Sequence, residues 1–351
     1  MEANKEKLKG LDQLLNDAKF DFLSKFTNMN GEESAYSNLN INCQYFTEDE
    51  FLDKHSQNRA MSFLSLNCQG LNSKFSAIKE FTHKLRSKKF EFDLLFFQEI
   101  HKIEDPSFFN IENYSQLIFK QRSVRKKGGI GCYVNSKLEH SIRNDLSIFK
   151  EGIFESQAIE VKCSKKSKSI FINVYRPPSV AFDNISASEQ LEIFQNSILE
   201  TLEKINRENC KVYFVGDFNL CLLKYELFAA TSKFIDDMFN AGFVEIISKA
   251  TRVSHQNKNT SASLIDHIWT NSISDSYNCG IITTPISDHF ATFSFLDSYR
   301  ENSKQPKFIK IRDFSDANIE RFKIALSDMP HDSLLEEKDV QRVMTDLRKC
   351  L

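Results

Sequence analysis

Residues 211–220 read KVYFVGDFNL. Val212, Tyr213, Phe214 and Val215 form a short apolar run bounded by glycine, which predicts a buried strand. The strand leads into Asp217 and Asn219. Their i, i+2 spacing puts both side chains on one side if the chain stays extended. Glycine and aspartate are ordinary turn residues, so GDFN gains meaning only in combination.

Outward from this stretch the same form recurs. MSFLSLN (61–67) predicts a strand closed by Asn67, and DLLFFQE (93–99) one closed by Glu99. KSIFINVYRPP (168–178) is closed by Tyr175, where two prolines stop the ladder. SLIDHIWT (263–270) is an apolar strand interrupted by Asp266, and Asp288 and His289 precede a last strand, FATFSFL (290–296). GIGCYV (129–134) is a further strand, and SQAIEVKC (156–163) pairs with KSIFINVY as a hairpin. Asn72-Ser73 reads as the cap of a helix carrying Ile78, Phe81 and Leu85. A helix from Ser188 carries Leu191, Phe194, Ile198, Leu202 and Ile205 as one stripe, and a short one spans Thr231 to Ala241. Mixed sheets with helices outside follow, an α/β fold. The 32 phenylalanines read as filling for its core.

The 351 residues divide into three parts. Residues 1–58 carry 6 Lys/Arg against 11 Asp/Glu, an acidic segment with a helix near Leu11 to Phe26 and a loose stretch from Met29 to Asn42. Residues 59–297 hold the strand-rich domain. Residues 298–351 are a tail with helical pieces at Ile319–Leu326 and Val340–Leu347. The longest uncharged apolar run, Leu94 to Phe97, is far short of a membrane span. The charged N-terminus has no secretory pattern, so the expected location is the nucleus or cytoplasm, with reduced thiols. The eight cysteines form no C-x-x-C pair, which argues against a structural zinc site.

Net charge is −2, but its distribution is uneven. No acid lies between Glu112 and Glu139, where Lys120, Arg122, Arg125, Lys126, Lys127 and Lys137 occur. A second acid-free stretch, from Glu160 to Asp183, holds Lys162, Lys165, Lys166, Lys168 and Arg176. Both read either as solvated loops or as phosphate-contacting loops.

A carboxylate buried in an apolar strand needs a partner, and a histidine suits Asp266. Strand alternation alone leaves Asp266 and His267 as rivals on opposite faces. The combination of strand ends favours phosphodiester hydrolysis, which uses a hard cation on oxygen ligands. Glu99 supplies a carboxylate, Asn67 stands beside it and Asp288 is an outer candidate. Asp217 is placed to take a proton from water, Asn219 to orient it, and His289, Asn219 and Tyr175 to donate to phosphate oxygens.

LNCQGLNSK, LLFFQEI, NVYRPP, FVGDFNL, SLIDHIWTN and PISDHF, in this order, resemble the motifs of the endonuclease/exonuclease/phosphatase superfamily. YRPP, GDFNL, the TR before S-x-LIDHI and the basic segment before GGIGCYV resemble the apurinic-endonuclease-like domain of non-LTR, LINE-type retrotransposons, including the jockey-like group. The flanks NCQYFTEDEF and IRDFSDANIERFKIALS look similar to flanks in such elements. The resemblance implies a four-layer α/β sandwich of two packed mixed sheets flanked by helices. It makes Glu99 the principal metal ligand with Asn67 beside it, for Mg²⁺ with Mn²⁺ as substitute. It makes Tyr175 and Asn219 phosphate contacts, Asp217 the water-activating carboxylate and His289 a phosphate-binding imidazole oriented by Asp266, and leaves Asp288 auxiliary. It implies nicking of double-stranded DNA to leave a 3′-hydroxyl primer, without a membrane partner. Such elements carry a reverse transcriptase in the same polypeptide, and a chain ending at Leu351 leaves it no room. The alternatives are a phosphatase or phospholipase of the same superfamily and a catalytically silent DNA-binding remnant.

Overall fold

The computed structural model describes residue 22 and residues 40–58, 60–163, 167–178, 185–208, 210–256, 259–272, 276–296 and 316–327. The chain divides into two compact units, Met1–Phe308 and Ile309–Leu351. In the second, one helix is described, Asp316–Ser327. The expected helix at Val340–Leu347 lies outside the described residues, as does that at Leu11–Phe26 apart from Phe22. Phe22 is buried and meets Tyr225 edge-on at 6.0 Å.

Among the described residues, the first unit holds two large mixed sheets and a small hairpin. The first sheet runs β1 (Asn40–Ile41), β16 (Ser276–Ile282), β17 (Ala291–Phe295), β3 (Ser62–Asn67), β4 (Leu94–Gln98), β6 (Ile130–Val134) and β5 (Ile118–Lys120), with β2 (Gln44–Phe46) also on β16. The second runs β12 (Val244–Glu245), β15 (Asp266–Thr270), β11 (Lys211–Asp217), β10 (Lys168–Tyr175), β9 (Phe154–Lys162) and β7 (His140–Arg143), with β8 (Phe149–Lys150) on β9. The hairpin is β13 (Arg252–Gln256) with β14 (Asn259–Ser263).

Side-chain alternation explains the layering. On β3, Phe63 meets Phe171 of β10 and Tyr213 of β11 at 5.3 and 5.5 Å, while Leu64 and Leu66 turn outward to α2 (Leu71–Ser87). Phe96 of β4 stacks on Phe171, which stacks on Tyr213. The phenylalanines thus form much of the contact between sheets, each burying a large apolar area. Ile78, Phe81 and Leu85 make the apolar stripe of α2 as expected. On the far side, Phe154 of β9 meets Phe194 of α3 (Ala187–Ile205), and Trp269 of β15 meets Phe234 of α4 (Ala229–Asn240). Helix, sheet, sheet and helix make the four layers.

The structure departs from the sequence reading in several places. Helix α2 starts at Leu71, and Asn72-Ser73 sit inside its first turn rather than capping it. Gly70 precedes it at φ +107°, where a Cβ would come within 2.9 Å of His101 Nδ1. Helix α3 starts at Ala187, because Ser186 accepts from Glu189 N and the Glu189 side chain accepts from Ser186 N, a capping box. Helix α4 starts at Ala229. Residues 40–58, set ahead of the domain in the sequence reading, join it. β1 and β2 pair with β16 in parallel, and Phe51 of α1 (Glu48–His55) packs on Phe293 at 4.9 Å. Strands of two and three residues carry no readable periodicity, which hid this extension.

Candidate active site

The site forms where the inner faces of both sheets run out. Asn67 is the last residue of β3, on the same face as Phe63. Its amide Nδ2 donates to Glu99 Oε1 and to Asp217 Oδ2, both at 2.8 Å, so it ties the two sheets together. Below it a second buried bridge crosses the same gap: Gln98 Nε2 donates to Ser65 Oγ (3.1 Å) and Asn173 Oδ1 (2.6 Å). Gly216 belongs to this close approach: at φ +136° a Cβ there would come within 3.0 Å of Gln98 Nε2 across the gap, and within 2.0 Å of the Val174 carbonyl on the neighbouring strand.

Glu99 follows β4 at φ +52°, an uncommon conformation for a non-glycine residue. Burial would raise its carboxyl, but His101, whose Nε2 lies 3.6 Å away, the hydrogen bond from Asn67 and the charge of His289 outweigh it and hold the group below its ordinary value.

Tyr175, Asp217 and Asp266 stand in one register row across β10, β11 and β15. Asp217 is buried, and burial together with the charge of Asp266 pushes its carboxyl up to about 7. It accepts Asn219 N at 2.9 Å and Asn219 Nδ2 at 3.1 Å. Asn219 stands at φ +47°, which asparagine tolerates, and its Nδ2 also donates to the Arg176 carbonyl at 2.7 Å. Tyr175 is buried, and burial with the charges of Glu99 and Asp217 raises its phenol, so it stays a neutral donor.

Asp266 accepts from His289 Nδ1 at 3.0 and 2.9 Å through its two oxygens and from Thr251 Oγ1 at 2.6 Å. Burial alone would lower the His289 pKa. The Asp266 charge and hydrogen bond, with the Asp217 charge, push it up to about 9. His267 points to the opposite face. Its ring stacks on Phe218 at 4.8 Å, Trp269 Nε1 donates to its Nδ1, and burial lowers it to about 4. Alternation on β15 thus separates the two rivals: Asp266 faces the site and His267 the helical layer.

Asp288 is bound by Arg252, which donates to its Oδ2 from Nε and Nη2 at 2.9 and 2.7 Å. The structure therefore brings Asn67, Glu99, Tyr175, Asp217, Asn219, Asp266 and His289 together, with Asp288 at the rim, paired to Arg252 and with its Oδ1 3.9 Å from His289 Nε2. Thr251 and His101 join the site without having been singled out by the sequence. Thr251 lies in the TR pair of the motif set, and His101 follows Glu99 by two residues.

The basic segments behave differently from each other. Arg125, Lys126 and Lys127 are exposed, and Lys120 is half-buried at the end of β5. Arg122 turns inward and pairs with buried Glu155, so its reading as a loop cation facing outward is corrected. In the second stretch, Lys162 pairs with Glu139, Lys168 with Glu160 and Glu208, and Arg176 is buried against the Phe218 and Asn219 carbonyls. Lys165 and Lys166 lie outside the described residues. Among the described residues of this stretch, the lysines are ion-paired and Arg176 is buried.

Asp217, Asp266 and His289 offer three ligand atoms within 4.8 Å of one another. The Nδ1 of His289 and both oxygens of Asp266 are already hydrogen-bonded, and an imidazole charged at neutral pH is a poor ligand. Glu99 would hold a cation through Oε2; Asn67 turns its Nδ2 toward Glu99 and Asp217, and its Oδ1, which accepts from Gln69 N at 3.1 Å, would join only with the amide flipped. The excess of buried carboxylates over cations, seen in the raised Asp217, fits a hard divalent ion on oxygen donors. Among the described residues no helix is long and apolar enough to cross a membrane.

Comparison with known proteins agrees with this architecture. An AP endonuclease from Archaeoglobus fulgidus superposes with a TM-score of 0.51 at 14% identity, over 68% of this chain and 100% of that one. The APE2 catalytic domain of Xenopus laevis gives 0.51 at 18%, over 67% and 91%. The endonuclease domain of TRAS1, a telomere-specific non-LTR retrotransposon, gives 0.48 at 10%, over 68% and 100%. No curated protein matches by sequence. A family model described as the Endonuclease/Exonuclease/phosphatase family matches residues 64–289, well over half of the chain, and the protein belongs to that family.

Proposed function

We propose that the protein is a Mg²⁺-dependent endonuclease of the non-LTR retrotransposon type, which nicks one strand of double-stranded DNA in the nucleus or cytoplasm. The observation that carries the hydrolytic reading is the convergence of Glu99, Asn67, Asp217 and the Asp266–His289 pair where both sheets end. The ordered motifs YRPP, GDFNL and TR before S-x-LIDHI, with their flanks, support the retrotransposon branch.

Glu99, joined by Asn67 with its amide flipped, would hold Mg²⁺, with Mn²⁺ as substitute. When bound, the ion supplies Lewis-acid polarisation of the scissile phosphate and neutralises the leaving oxygen. Asp217, pushed up to about 7, takes a proton from the attacking water near neutral pH. Asn219, hydrogen-bonded to Asp217, orients that water. His289, charged below about pH 9 and fixed by Asp266, donates to the oxygens on which charge grows. Tyr175 donates from a phenol kept neutral by burial. Arg125, Lys126 and Lys127, with Lys120, contact DNA phosphates outside the reacting group.

The test is nicking of supercoiled plasmid with Mg²⁺ and with EDTA, followed by polymerase extension of the nick. Mg²⁺-dependent nicks that extend directly support the reading, because a reverse transcriptase needs the same 3′-hydroxyl. Release of phosphate from small monoesters or lipid headgroups without nicking would favour a phosphatase or phospholipase. Duplex binding without hydrolysis would favour a silent remnant.

A further inference from the structure

One buried ion pair shares the register of the site. Tyr175 faces Glu155 on β9 just as it faces Asp217 on β11, so Glu155, Tyr175, Asp217 and Asp266 stand side by side on four adjoining strands. Glu155 is fully buried, and the Arg122 side chain is 7% exposed. Glu155 Oε1 accepts from Arg122 Nε and Gly152 N, and its Oε2 from Gly129 N at 2.7 Å. The Arg122 guanidinium lies 6.0 Å from the centre of the Tyr175 ring. Gly128, at φ +98°, packs against it so closely that a Cβ would come within 2.3 Å of the guanidinium carbon.

The loop carrying Arg122 is held from both sheets. On one side, Glu151 Oε1 accepts from Ser123 N and Oγ at 2.6 and 2.7 Å. On the other, the carbonyls of Lys126, Gly128 and Gly129 accept from the N–H groups of Lys102, His101 and Ile100. Those are the residues directly after Glu99. The loop therefore spans from the segment behind Glu99 to the row containing Tyr175, with Arg125, Lys126 and Lys127 exposed along it.

A buried ion pair is a poor source of net stability, and in some proteins it serves to fix geometry. We propose that Arg122 and Glu155 are a positioning pair for the hydrolytic site. Arg122 sets the Tyr175 ring, and the pair anchors the loop so that its three outward cations meet DNA phosphates in register with the scissile bond. The proposal rests on the hydrolytic reading of the row.

The test combines three readouts: thermal melting, single-turnover plasmid nicking in Mg²⁺, and the salt dependence of duplex binding in EDTA. Arg122→Met with Glu155→Gln removes both charges at similar volume and keeps an acceptor for the Gly129 and Gly152 N–H groups, so the melting temperature should stay near wild type. The nicking rate should still fall about ten- to a hundredfold, the scale of a small misplacement. The log–log salt slope should fall by about 0.9 for each phosphate that goes out of register. Arg122→Lys keeps a charge beside Glu155 but lacks the planar fork, and should show the same losses. Wild-type nicking and slope in either variant would overturn the proposal and leave the pair purely structural. If the wild type itself does not nick, the hydrolytic reading fails separately. The binding arm still decides the anchor, and an unchanged slope overturns it.

Discussion

Replacing Asp266 by asparagine tests the logic of the site most deeply, because one carboxylate sets the charge, tautomer and orientation of His289. The rise of the imidazole from 6.5 to about 9 corresponds to about 3 kcal/mol of preference for the charged form. At pH 7.5 the wild-type ring is then nearly all protonated. In Asp266→Asn the largest raising influence is gone while burial and the Arg252 charge still lower the pKa, so the charged fraction at pH 7.5 falls. Lost charge and lost orientation of a positioned donor together cut the rate on the order of a hundredfold or more. The assay is a double-mutant cycle on single-turnover nicking with Asp266→Asn, His289→Ala and the pair, with NMR titration of the imidazole. The double variant should be little worse than His289→Ala. The stability conferred by the raised pKa is fully present below about pH 6.5 and is lost as pH rises through about 9. The melting difference between wild type and Asp266→Asn should shrink over that range. Multiplicative rate losses, or a His289 titration unchanged by the mutation, would refute the reasoning.

Other outcomes follow from the same geometry. Glu99→Gln should keep the fold and cut nicking on the order of a thousandfold or more, read as single-turnover rate and Mg²⁺ dependence. Near wild-type nicking would remove Glu99 from the metal site. Neutralising Arg125, Lys126 and Lys127 should lower the salt slope of duplex binding by about 0.9 for each phosphate left without its cation, and leave hydrolysis of a small phosphodiester nearly unchanged. His267→Ala should lower stability by about 2–4 kcal/mol in denaturant melts, through weaker packing on Phe218 and a missing acceptor for Trp269, with the rate per folded molecule retained.

The strand cores were legible because β3, β4, β10, β11 and β15 are apolar runs that end on polar groups. Their convergence was legible only through the order of the motifs. Alternation puts Asp266 and His267 on opposite faces without saying which face holds the site; the position of β15 against β11 decides that. Arg122 reads as a solvated or phosphate-contacting loop cation in the sequence because its partner lies on another sheet, at Glu155. Composition of a loop cannot reveal such a tertiary contact. Thr251 stands in the TR motif, but its role is not readable there for a similar reason: its hydroxyl matters only because the chain brings it to Asp266.

Asp217→Asn, measured for stability and activity together, probes the central claim most directly. The Asp217 carboxyl is pushed from 3.8 up to about 7, so folding loses stability as pH rises between those values, about 4 kcal/mol at most. Asparagine keeps an acceptor for the side chains of Asn67 and Asn219, gives up the one that Asn219 N uses, and carries no charge to bury. The account predicts a variant that melts at a higher temperature than wild type above pH 7 in EDTA and does not nick plasmid in Mg²⁺. A variant that nicks at near wild-type rate, or that melts lower, would contradict it.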